Sequence, residues 1–118
     1  MTKVYDVKER TYRFAIDVVR FLGGLPDGYV ARTLGQQLLR SATSVGANVA
    51  EAQASSSKRD FANFYHHALK SANESKFWFG VLKDSDTVPA ERVTPLLDEA
   101  HELANILASS ILTMKGKR

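Results

Sequence analysis

Seven residues near the C-terminus, Val93, Leu97, Ala100, Ala104, Leu107, Ile111 and Met114, keep a strict four-three spacing. That period is the signature of a helix packed at a shallow angle against its neighbours, and a strand cannot use it. The same alternation recurs at the start of the chain, in Val7, Thr11, Phe14, Val18 and Phe21. Between these two segments lie two more apolar-periodic runs, and no stretch alternates with a period of two. The chain therefore reads as all-α. Four helices joined by short breakers predict an antiparallel up-down-up-down four-helix bundle, a single domain over residues 1–118.

The breakers set the boundaries. The first helix is expected from Asp6 to Leu22, stopped by Gly23 and Gly24 with Pro26 just beyond. Pro26-Asp27-Gly28 is a turn sequence, and it lacks the lysine and following Ser/Thr of a phosphate-binding loop. The second helix follows from about Ala31 to Ala54. Ser55, Ser56 and Ser57 break it and offer caps to a third helix over Lys58–Lys83, with Asp60 in its first turn. A fourth begins at Val88–Ala90, or after Thr94 if Pro95 marks its true start.

Each helix shows more than one kind of surface. On the first, Tyr5, Tyr12, Ile16 and Val19 widen the apolar side, and Asp6–Arg10, Glu9–Arg13 and Asp17–Arg20 sit at pairing distance. The second sends Leu38, Ala42, Val45 and Val49 to one side and Gln37, Arg40, Ser44, Asn48 and Glu51 to the other. Gly35, Gly46 and Ala50 form a small-residue flank where another backbone can approach. The third has a core stripe of Phe61, Tyr65, Ala68, Ala72, Phe79 and Leu82, with Phe64 beside it. Phe77 and Val81 fall on its far side, and Trp78 shares a flank with Glu74. A lone bundle cannot bury all of these, so Phe77, Trp78 and Val81 are expected to form an association surface.

Composition excludes several function classes. The chain has no cysteine, which rules out disulfides and thiolate-ligated metal and points to the cytoplasm. Residues 1–10 are polar and no apolar run approaches the roughly 18 residues of a membrane span, so a soluble protein is expected. The histidines are His66, His67 and His101. Neighbours on a helix point about 100° apart, so His66 and His67 cannot share a metal, and no metal or cofactor is expected. His67, Ser71 and Glu74 share a flank, but a continuous helix offers no free N–H groups for an oxyanion hole. No catalytic residue is assigned. The net charge of +3 is unevenly spread: basic before residue 60, acidic over 84–102, and basic again at Lys115, Lys117 and Arg118.

The segment QLLRSATSVGANVAEA, Gln37–Ala52, followed by SKRDFANFYHHALKSANE, Ser57–Glu74, resembles the bacterial 23S rRNA intervening-sequence protein family. The family's Arg, Ser, Asn, Ala-Glu pattern falls on Arg40, Ser44, Asn48, Ala50 and Glu51. Its pattern of two aromatics, Ala, Ser and Glu falls on Phe61, Phe64, Ala68, Ser71 and Glu74. Gly46 stands where the family commonly has proline, and Ala52 where it commonly has glycine. The resemblance implies a homopentamer with no established catalytic activity. It extends more distantly to the accessory proteins of diversity-generating retroelements, which bind nucleic acid and a reverse transcriptase. The function expected is thus an accessory or scaffold protein whose partners are its own copies and RNA or DNA. Arg13, Arg20, Arg32, Lys58, Arg59, Lys115, Lys117 and Arg118 are the candidate phosphate contacts. The alternative is a protein-protein adaptor without nucleic acid, using the Phe77–Trp78 surface and the polar stripe.

Overall fold

A computed structural model describes residues 6–116. Four helices follow one another: α1 (Val7–Leu22), α2 (Tyr29–Gln53), α3 (Lys58–Asp84) and α4 (Ala90–Met114). Each packs against its neighbours in sequence, and α1 also meets α4, so the backbones close into a square whose diagonal helices meet only through side chains in the core. The result is a four-helix bundle 45 Å long, as the spacing of the apolar residues predicted.

The helix ends follow local chemistry. Ser57 caps α3 through a 3.0 Å bond from the Asp60 N–H to its hydroxyl. Helix α2 starts at Tyr29, two residues before the expected Ala31. Gly28 adopts a φ of 130° and its carbonyl accepts from the Arg32 N–H, which adds half a turn. Helix α4 starts at Ala90 and carries Pro95 inside it. The missing N–H would have met the carbonyl of Glu91, but Glu91, Thr94 and Pro95 are all exposed, so water can take the vacant acceptor. Between α3 and α4 the chain turns at Asp86, φ 60°, and drops Val88 into the core with no exposed surface.

The core runs through all four helices. Phe79 of α3 is fully buried at its centre, with Phe14 and Phe21 of α1 edge-on at 6.3 and 5.9 Å. All five α1 seam residues are buried. On α4 the predicted seam needs correction. Leu97 is only half-buried and Met114 is 39% exposed, whereas Leu103 is completely buried. A corner helix with two neighbours buries a second column of side chains, and Leu103 belongs to it. The small-residue flank of α2 acts inside the protomer as well: a Cβ at Gly46 would lie 3.1 Å from the Thr11 carbonyl oxygen, so α1 crosses α2 where glycine permits it. Among the described residues no helix is long and apolar enough to cross a membrane.

Candidate functional site

Serine replaces an apolar residue twice in the α2–α3 seam, and both positions are buried. Ser41 follows Leu38 on α2, and Ser75 follows Ala72 on α3. Their hydroxyl oxygens lie 2.9 Å apart, which pairs two polar groups that would otherwise be desolvated without a partner. Ser75 Oγ is also 2.9 Å from the Ser71 carbonyl, to which it donates. Toward solvent the seam becomes more polar. Ser71 donates to Ser44 Oγ at 3.0 Å, and Asn48 Nδ2 donates to the Ser44 carbonyl and hydroxyl at 2.9 and 3.0 Å.

One turn along, Arg40 Nη2 donates to Gln37 Oε1 at 2.9 Å and to Glu74 Oε2 at 3.0 Å. The same Glu74 oxygen accepts the indole N–H of Trp78 at 3.0 Å. Glu74 therefore ties α2 to α3 and fixes the tilt of the Trp78 ring. Phe77 packs edge-on against that ring at 4.9 Å and stands 61% exposed. Val81, one turn further, is half-buried.

Predicted site residues thus divide. Arg40, Ser44, Asn48, Ser71, Glu74, Phe77 and Trp78 come together on one face, while Glu51 is exposed near the end of α2. Ser44, Asn48, Phe64, His67, Lys70, Ser71 and Glu74 line a shallow groove there. Ser71 gives its proton to Ser44, and Glu74 is engaged by Arg40 and Trp78, so neither forms a relay with His67. Among the described residues no three His, Asp or Glu side chains form a metal cluster.

The basic residues divide too. Lys58, Arg59 and Lys115 line one groove at the end of the bundle where α2 turns into α3, with Phe61 and Met114 as its apolar part. Arg13 is bridged to Glu9 at 2.7 Å, Arg20 is exposed on α1, and Arg32 lies at the opposite end. Lys117 and Arg118 lie outside the described residues, as does Tyr5.

Sequence reasoning missed a second polar cluster. Arg10 was expected to pair with Asp6; it crosses to α4 instead, with Nη2 2.7 Å from Glu99 Oε1 and 2.9 Å from Glu102 Oε1. Hydrogen bonding to Glu99 raises the Arg10 pKa above its ordinary value, burial opposes this, and Glu102 adds to the rise. Only the helix order brings these residues together, so no local spacing signals them. Ser41 and Ser75, by contrast, sit on the apolar columns of their own helices, and that placement was a readable sign of burial.

A family model described as 23S rRNA-intervening sequence protein matches residues 3–109. Among solved structures, the chain is similar to a protein of unknown function from the S23 ribosomal protein family of Bacteroides thetaiotaomicron. The two are 33% identical with a TM-score of 0.80, over 89% of this chain and 97% of that one. No curated protein matches.

Proposed function

Since the chain belongs to the 23S rRNA-intervening sequence protein family, we propose that it is a non-enzymatic, self-assembling bundle that serves as a cytoplasmic accessory or scaffold protein. The observation that carries this reading is the Phe77–Trp78 ridge. Trp78 packs in part against the core with its ring orientation fixed by Glu74, yet Phe77 beside it has no place in the core and remains 61% exposed. An exposed aromatic ring held against a half-buried one on a small domain marks a surface that another molecule covers. The pentamer is the assembly that the family resemblance supports.

RNA or DNA is the further partner in this proposal, supported by the convergence of Lys58, Arg59 and Lys115 on one groove. A protein-protein adaptor is the competing reading. Two measurements separate them. Light scattering at micromolar concentration should give a mass several times that of the 13.1 kDa chain; single chains would remove the scaffold. Titration with RNA at two salt concentrations should show an affinity that falls as salt rises, and absent or salt-indifferent binding would leave the adaptor.

A further inference from the structure

The basic groove at the end of the bundle has a volume of about 780 Å³ between the α2–α3 turn and the last turn of α4. That lies within the roughly 300–1,000 Å³ of small-ligand sites. Its cations come from two distant parts of the chain, Lys58 and Arg59 from the start of α3 and Lys115 from the end of α4. No carboxylate lines it; the nearest in sequence, Glu51 and Asp60, lie outside the lining. Among the described residues none of the three cations is held in an ion pair, whereas Arg10, Arg13 and Arg40 all are. The positive charge gathered here is uncompensated.

The groove also has an aromatic wall. Phe61 is half-buried and borders it, and the ring stacks on Tyr65 with centroids 4.8 Å apart and planes 22° from parallel. Tyr65 is itself buried, so the Phe61 ring is held from behind and the surface it leaves accessible is presented to the ligand space. Met114, 39% exposed, extends that apolar wall from α4. Cations alone would hold any anion; the ring asks for a flat partner as well.

We propose that this groove takes single-stranded nucleic acid, one unpaired base resting on Phe61 while the neighbouring phosphates meet Lys58, Arg59 and Lys115. This rests on the nucleic-acid reading above and adds the form of the ligand and the side chain that selects it. A basic groove with an aromatic platform is the chemistry by which single strands are held, because every base has a π-face whatever its identity. Within a duplex those faces are stacked on one another and closed to a side chain. Charge alone predicts the opposite preference, since a duplex carries one phosphate per about 1.7 Å of its axis and is the denser polyanion. An acidic peptide would satisfy the cations and leave the ring without a partner.

The test is a fluorescence titration of the full chain with a single-stranded RNA of about 12 nucleotides, and with the same strand annealed to its complement. The single strand should bind more tightly than the duplex. Phe61→Leu should weaken single-strand binding roughly 5- to 100-fold and leave its salt dependence unchanged, and Phe61→Trp should restore it. Alanine at Lys58, Arg59 or Lys115 should do the reverse, lowering the slope of log affinity against log salt by about 0.7 for each cation removed. If Phe61→Leu loses helicity by circular dichroism, photocrosslinking of the wild-type chain to a 5-iodouridine strand takes its place, and the adduct should map to the peptide that holds Phe61. A duplex bound as tightly as the strand, a Phe61→Leu chain of full affinity, an adduct elsewhere, or displacement of the RNA by an equal charge of oligoglutamate overturns the inference while nucleic-acid binding stands. Absence of any salt-dependent binding to either form removes the nucleic-acid reading itself.

Discussion

Replacing Arg10 with methionine keeps its aliphatic stem in place and deletes the charged fork that joins α1 to α4. Arg10 is 19% exposed and makes two bonds to Glu99, 3.2 Å from Nε and 2.7 Å from Nη2. Breaking charge-assisted bonds of this kind costs about 1.5–3 kcal/mol. Glu102 is 58% exposed, so its share is at most about 1 kcal/mol. Glu99 is 31% exposed and regains water once Arg10 is gone, which returns part of the loss. A net destabilisation of about 2 kcal/mol follows. With an unfolding entropy of roughly 2.1 cal/mol/K per residue, a chain of 118 residues should lose about 8 °C in Tm. Thermal circular dichroism at one fixed protein concentration reads this directly. Hydrogen exchange should also quicken across α1 more than across α2 or α3. A Tm within about 2 °C of wild type, with α1 still protected, would refute the reasoning that these bonds hold the outer helix.

Other outcomes follow from single contacts. Gly46→Val should destabilise by about 1–3 kcal/mol in urea unfolding, because its side chain meets the Thr11 backbone, while Gly80→Ala, with nothing within 4 Å of its new Cβ, should stabilise by about 0.5–1 kcal/mol. Burial pushes the Tyr65 phenol above its ordinary value of 10.0. The unfolded chain therefore loses that proton first, and stability should decline as pH rises past about 10, a decline that Tyr65→Phe should flatten in alkaline titrations followed by circular dichroism. Trp78→Ala should lower the assembly mass more than the helicity; lost helicity with the mass retained would contradict its role on the ridge.

Much of the fold was written in local spacing. Phe14, Val18, Val45, Val49 and Leu107 are buried where their four-three steps put them. Ser57 caps α3 as its position before Asp60 implied. The polar stripe of α2 was visible, but its counterpart was not. Periodicity places Arg40, Ser44 and Asn48 on one side of a helix without saying which helix faces them, and the bonds to Ser71 and Glu74 depend on how α2 and α3 pack. The Arg10 fork was hidden for a stronger reason, since Glu99, its nearer partner in sequence, lies 89 residues away. Pro95 left two starts open for α4, and the earlier one, at Ala90, is the one adopted, because near a solvent-exposed helix start proline removes one bond that water can replace.

The seam of α2 with α3 has a bearing on how the chain reaches its native state. A turn of residues 54–57 joins these two helices, and their pairing runs from Arg40–Glu74 through Ser44–Ser71 with sequence separations of 34 and 27. Low contact order favours early formation, so this hairpin can zip while α4 is still being synthesised. Bringing α1 against α4 must await the final residues and carries the largest closure entropy. Helix α4 is then the last to dock, and nascent chains leave the side of the core that it covers open until synthesis is complete.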